Sequence, residues 1–149
     1  MSKLRDQVRE FHIAMGAPNG DVPKMPSDER VKLRLKLIGE EFFELIAAVA
    51  GKDEDDLSRT VEDFKTAVDA LTIDVDMTDT ADALADLDYV IEGTRLEFGI
   101  DGGPIADEVH RTNMAKFGGK VREDGKILKP EGWLPPDIEG ELKKQGWEP

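Results

Sequence analysis

A chain of 149 residues with 39% hydrophobic content lies within the size of one domain, so a single folded unit over 1–149 is expected. Its formal charge of −13 repels phosphate backbones and anionic lipid, which argues against a nucleic-acid binder or a membrane-surface protein. With no cysteine there are no disulfides, thiolate zinc sites or cysteine nucleophiles; with neither a signal-like apolar core after Met1 nor a bilayer-length apolar run, the cytoplasm is the expected location.

In chain order, Leu4, Val8, Phe11 and Met15 recur at three- and four-residue steps and predict a first helix over Ser2 to Met15. Two prolines and two glycines separate it from Pro26-Ser27, a stop followed by an N-cap with Asp28 and Glu29 in the first turn. A second helix should run from Ser27 to about Ala50 and end at Gly51. The acidic run Asp53 to Asp56 opens a third helix through Leu57, Val61, Phe64 and Val68. Leu71 to Thr78 reads equally as an extended segment or a loop. Thr78 or Asp79 can cap a long fourth helix ending at Gly99, and Pro104 marks the start of a fifth that closes at Gly118-Gly119. The fold class is therefore all-α, a bundle of about five helices with its core over about 1–118. The tail, about 119–149, begins with a short hairpin or turn around Asp124-Gly125, then becomes Pro-rich and ends in a short helix near Asp137 to Lys144.

On a helical wheel the second helix has an apolar arc of Leu33, Leu37, Ala48, Leu45, Ile38, Val31, Phe42 and Leu35. Glu41 and Glu44 fall inside that arc and Glu40 at its rim. Burying an unpaired carboxylate costs several kcal/mol and like charges one turn apart repel, so the arrangement calls for a cation or a proton. A divalent metal with oxygen ligands, Mg²⁺ first and Mn²⁺ second, meets the need. The competing reading is a solvated acidic face.

The fourth helix repeats the pattern. Ala83, Leu84, Leu87, Val90, Ile91, Thr94 and Phe98 form its apolar arc, flanked by Asp86 with Asp82 one turn earlier. Gly93 in mid-helix costs about 1 kcal/mol relative to Ala, which suggests close approach of a helix or a ligand. Acids on two facing helices would form a carboxylate cluster of the kind bundles use to hold metals, giving Glu40, Glu41, Glu44, Asp82 and Asp86 as the candidate metal set.

The stretches Leu37-Ile38-Gly39-Glu40-Glu41-Phe42-Phe43-Glu44-Leu45 and Leu84-Ala85-Asp86-Leu87-Asp88-Tyr89-Val90 resemble the all-α NTP pyrophosphohydrolase superfamily, whose hallmark is Glu-x-x-Glu on one helix and Glu-x-x-Asp on a later one. Further stretches, Glu10-Phe11-His12, Phe98-Gly99-Ile100-Asp101, Glu108 to Lys116, Asp124-Gly125-Lys126 and Lys129 to Trp133, are similar to its MazG-like branch with the dimeric-type dUTPases. The resemblance implies that Glu41, Glu44 and Asp86 ligate Mg²⁺ and that Glu40 ligates it or positions the attacking water. It also implies that Asn113 and Lys116 meet substrate phosphates or sugar, and that the chain assembles as a homodimer or homotetramer. One position departs from the pattern: the first acid of Glu-x-x-Asp falls at Ala83, and Asp82 is the nearest replacement. Asp88 stands where the family has an apolar residue.

Lys126 and Lys129 follow the Asp-Gly turn and are candidates for a segment that closes over a triphosphate. Neither His12 nor His110 has Glu three residues before it, so a di-iron centre is not indicated and both are read as structural. A base could stack on Trp133 or Trp147, although packing against the bundle is the commoner fate. The expected activity is Mg²⁺-dependent hydrolysis of a nucleoside triphosphate to monophosphate and pyrophosphate, with Glu40, Glu41, Glu44 and Asp86 catalytic and dUTP or a related pyrimidine as first substrate. The alternatives are the same chemistry on phosphoribosyl-ATP or an aberrant dNTP, or a weakened acidic interaction protein, which Ala83 keeps open.

Overall fold

The structure, a computed structural model, describes residues 2–120 and 128–149. The turn or hairpin expected around Asp124-Gly125, and Lys126 with it, lie outside the described residues. The described residues form six α-helices, one short 3₁₀ turn and no strand, which gives the expected all-α class. The helices are α1 (Lys3–Ala14), α2 (Asp28–Ala50), α3 (Ser58–Asp69), α4 (Met77–Phe98), α5 (Gly102–Met114) and α6 (Ile138–Lys144), with the 3₁₀ turn at Glu54–Leu57. They fall into two compact units, one made of Met1–Pro23 and Thr78–Pro149, the other of Lys24–Met77. Among the described residues no helix is long and apolar enough to cross a membrane.

Most helix ends follow local chemistry. The Ser2 and Ser27 hydroxyls accept from the backbone N–H of Arg5 and Arg30, and Asp101 and Asp137 do the same for Gly103 and Gly140, each satisfying an orphan donor of the first turn. Gly51 and Gly99 adopt the left-handed conformation, φ 63° and 69°, as each helix stops. Three expectations shift. α4 begins at Met77, so Thr78 and Asp79 lie in its first turn rather than capping it; α5 ends at Met114, several residues before Gly118; and the acidic run forms a 3₁₀ turn ahead of α3. The segment between α3 and α4 is a loop, not a strand.

In the Lys24–Met77 unit, α2 and α3 form a helical hairpin around a close approach at Gly39. A Cβ built there would stand 2.1 Å from Cε1 of Phe64, and the Phe64 ring packs edge-on against Phe43 at 5.7 Å between centroids. Gly39 and Ala47 on α2 and Val68 on α3 are the buried residues. The lysines of α2 fasten the far end, Lys36 to the Asp69 carboxylate at 2.5 Å and Lys32 to the Asp69 carbonyl at 2.7 Å.

The buried arc expected on α2 is the main correction. Leu35, Ile38, Phe42, Leu45, Ile46 and Ala48 are exposed, as are Glu41 and Glu44, and only Glu40 of the three acids is half-buried. A single neighbouring helix covers only part of an arc this wide, and α3 comes close at Gly39, where the Phe64 ring lies.

In the other unit α1 lies along α5. Asp107 accepts from Lys3 at 2.5 Å and from Gln7 at 2.7 Å, and these two bonds, Lys3 first, hold its carboxyl below the usual range. The tail is fastened to α5 by Glu108, which accepts a forked pair from Arg111 at 2.7 and 2.8 Å and the backbone N–H of Asp137 at 2.8 Å. Arg111 and then the Asp137 N–H lower the Glu108 carboxyl to about 2, so this fastening is present above the ordinary carboxylate range and is lost only as pH falls through about 2. Gln145 adds a reciprocal pair with the Asp101 backbone, at 2.8 and 3.1 Å.

α4 is exposed along its whole length except at Gly93 and Arg95, which are half-buried. Its apolar arc lies open, with Leu84, Leu87, Val90, Ile91 and Phe98 all exposed. A Cβ at Gly93 would meet nothing within 4 Å, so no described residue makes the close approach suggested by a glycine in mid-helix.

Replacing Gly39 by Ala should destabilise the protein. The new methyl gains roughly 0.5–1 kcal/mol of helix propensity but forces Phe64 off Phe43, an overpacking cost of about 1–3 kcal/mol. Thermal unfolding should show Tm lowered by several degrees, and an unchanged or raised Tm would contradict the packing described.

Candidate functional site

The acids of α2 stand on a continuous helix, so Glu41 and Glu44, three apart, share a face, with Glu40 to one side. Glu40 is engaged inside its own unit: its carboxylate accepts from Lys65 Nζ of α3 at 2.7 Å, and Lys65 also reaches Glu62 at 3.2 Å. The Glu40 bond, with Glu62 behind it, holds the ammonium above its usual range against partial burial. Lys65 therefore keeps its charge through neutral pH and loses it only as pH rises through that elevated value. Lys65 is the functional neighbour that the sequence did not reveal, because nothing in local spacing pairs α3 with Glu40.

The acids of α4 are exposed, and the helix runs uninterrupted from Met77 to Phe98. No shift moves Asp82 onto the bearing of Ala83. It stands four residues before Asp86 instead, the other spacing at which helical side chains are neighbours. Within either unit, no three His, Asp or Glu side chains among the described residues converge on a point where a metal could be held. The donor chemistry nonetheless fits Mg²⁺: Glu41, Glu44, Asp82 and Asp86 offer only carboxylate oxygens, and all four are solvent-accessible.

At the C-terminal end of α5 three of the four expected nucleotide-binding residues are described, and they stand close to one another. Lys116, just past the helix end, donates to Asn113 Oδ1 at 2.7 Å. The Trp133 indole N–H donates to the carbonyl of buried Thr112 at 2.8 Å. Over its ring lie the ammonium groups of Lys116, 5.7 Å from the centroid, and Lys129, 4.5 Å away. Trp133 packs against the helical core, as is common for a tail tryptophan, yet it also organises two cations. Asn113 further borders a mainly apolar cleft of about 270 Å³ between α1 and α5, lined by Val8, Phe11 and Ile105 with Arg95 at its edge. The histidines are peripheral to the acids: His12 Nδ1 bonds the Pro18 carbonyl at 2.9 Å, and His110 stands 3.2 Å from Glu10.

In this all-α chain, Glu-Glu-x-x-Glu on one long helix, aspartates one turn apart on another and a basic cluster at a helix end are the features that resemble a nucleotide pyrophosphohydrolase. Comparison with known proteins gives the family. The model of the phosphoribosyl-ATP pyrophosphohydrolase family matches residues 8–113, more than half of the chain, and the chain belongs to that family. It is also similar to a solved structure from Exiguobacterium sp. 255-15 described, provisionally, as an NTP pyrophosphohydrolase, with 29% identity, a TM-score of 0.71, and coverage of 97% of this chain and 96% of that one. No curated protein matches it.

Proposed function

We propose that the protein hydrolyses a nucleoside triphosphate to the monophosphate and pyrophosphate in a Mg²⁺-dependent reaction, Mn²⁺ being the alternative ion. The observation that carries this reading is the placement of Glu41, Glu44, Asp82 and Asp86 as accessible carboxylates on the exposed, largely apolar faces of α2 and α4, in a chain of this family. Glu41, Glu44 and Asp86 would hold the ion, with Asp82 in place of the acid missing at Ala83. When bound, Mg²⁺ supplies neutralisation of phosphate charge and a more acidic bound water.

The chain's own residues account for the rest. Glu40, held in one orientation by Lys65, accepts the proton of the attacking water. As the water oxygen bonds to phosphorus, the P–O bond bridging the α- and β-phosphates breaks, giving the monophosphate and pyrophosphate. Asn113 and Lys116, with Lys129, meet the phosphates and sugar, supplying the positioning and electrostatics that phosphoryl transfer chiefly needs. Lys126 is assigned the same role by resemblance alone.

For the base we propose dUTP or a related pyrimidine, on the strength of the dUTPase-like stretches Glu108 to Lys116 and Lys129 to Trp133. Phosphoribosyl-ATP is the second reading, favoured by the name of the matching family. We further propose a cytoplasmic homodimer or homotetramer of single-domain chains, an assembly favoured by the exposed apolar arc of α4, Leu84, Leu87, Val90, Ile91 and Phe98. Sedimentation velocity should give a multiple of 16.5 kDa, and a species of that mass alone would contradict the assembly.

The reaction is tested by pyrophosphate release from dUTP, dCTP, dTTP, dATP and phosphoribosyl-ATP, with Mg²⁺ or with chelator. Turnover should require the metal, be fastest with a pyrimidine, and fall by about 100-fold or more in Glu41→Gln, the scale for loss of a group that stabilises the transition state. Turnover unchanged by chelator or by the substitution would overturn the metal assignment.

A further inference from the structure

The tail meets α5 at three points whose order runs against the helix. The Trp133 indole N–H donates to the Thr112 carbonyl at 2.8 Å, the Asp137 backbone N–H donates to Glu108 at 2.8 Å, and Gln145 exchanges bonds with the Asp101 backbone at 2.8 and 3.1 Å. Rising tail numbers thus meet falling helix numbers, so the segment lies antiparallel on α5 as a strap, its pins roughly 6 and 10 Å apart along the axis at about 1.5 Å per residue. Between the pins the chain is stiff. Pro135 and Pro136 have fixed φ and transmit the position of Asp137 to Leu134 and Trp133. On the other side of Trp133 a turn closes: the Trp133 backbone N–H donates to Pro130 O at 3.1 Å, and Gly132 has φ 76°, the positive-φ place that a type II turn gives to glycine. Lys129 immediately precedes that turn, and its ammonium lies 4.5 Å from the centroid of the Trp133 ring. The middle pin is the one made by a charged side chain, since Glu108 is clamped by the forked pair from Arg111 while it takes the Asp137 N–H.

We propose that Glu108 is a positioning residue which, through this strap, sets where the Lys129 ammonium stands for the phosphate chain of the substrate. The proposal rests on the nucleotide reading above, which assigns Lys129 to the phosphates, and adds to it the residue that fixes the geometry from a distance. A group that acts only through Lys129 has nothing left to do once that lysine is gone, whereas a group that merely steadies the fold acts whether or not Lys129 is present. Lys129 needs no metal to meet a polyphosphate, so inorganic tripolyphosphate with chelator present probes the strap directly.

Calorimetric titration should show saturable tripolyphosphate binding, and no binding at all would overturn the proposal. Lys129→Gln should weaken it about tenfold, the scale of one hydrogen bond to a charged group, and Glu108→Gln, which breaks the Arg111 fork, should weaken it about fivefold. The double variant should be no weaker than Lys129→Gln alone. Pro135→Gly, at an exposed position, loosens the strap without touching Glu108 and should show the same coupling to Lys129→Gln, so the matter is decided even if Glu108→Gln fails to fold. Unaltered binding in any of these single variants, or losses that multiply in the doubles, would overturn the strap. In steady-state kinetics Glu108→Gln should raise KM for the nucleotide with kcat little changed. The coupled pattern without turnover of any nucleotide would leave the strap standing and remove the enzymatic reading. Turnover with KM untouched in Glu108→Gln and Pro135→Gly would do the reverse.

Discussion

Carboxylates and large apolar side chains occupy the same faces of α2 and α4, and hydrocarbon cannot cover such a face without stranding charge. Glu41 stands among Ile38, Phe42 and Leu45, and Asp86 among Leu84, Leu87 and Val90, all of them exposed. Removing those apolar residues from water is favourable by about 25 cal/mol per Å², whereas burying a lone carboxylate costs several kcal/mol. The two demands are compatible where a cation or a proton accompanies the acids. The same constraint links the proposed assembly to the proposed metal: the apolar arcs call for a covering surface, and the acids set into them call for positive charge beneath it. Stability of the covered state and chemistry of the site thus depend on one arrangement of residues.

The positive groups are divided accordingly. Lys65 fixes Glu40 from within its own hairpin, where packing around Gly39 and Phe64 sets the distance between the two helices. The ammonium groups of Lys116 and Lys129 lie over the Trp133 indole. Nearly everywhere else around α5 the cations are spent on carboxylates, and the Glu108 to Arg111 and Asp137 bonds tie the tail down so that Trp133 has a fixed place to stand.

Much of the fold was legible because it is written in local signals. Ser27 and Gly51 bracket α2 through cap chemistry, Asp137 does the same for α6, and the apolar periodicity of α1 needs no tertiary knowledge. The start of α4 was missed by a residue or two because Thr and Asp serve equally as cap or first-turn residue, and the early end of α5 was hidden because Ala115 to Phe117 carry no breaker before Gly118. Burial was the larger error. A helical wheel reports which residues share a face but not how wide a neighbour covers it, so the arc of α2 read as core while α3 covers only part of it, around Gly39 and Phe43. For the site, the candidate acids came from sequence, but the partners Lys65 of Glu40 and Trp133 of Lys116 are non-local and have no periodic signature.

The central claim is that this chain cleaves a nucleoside triphosphate so that pyrophosphate leaves intact, and identifying the phosphorus products tests it most directly. Phosphorus NMR of dUTP incubated with the protein and Mg²⁺ should show monophosphate and pyrophosphate growing in together at equal amounts. A diphosphate with orthophosphate would contradict the account, since it would mean that the terminal anhydride is the bond attacked and that the acids of α2 and α4 serve a different reaction.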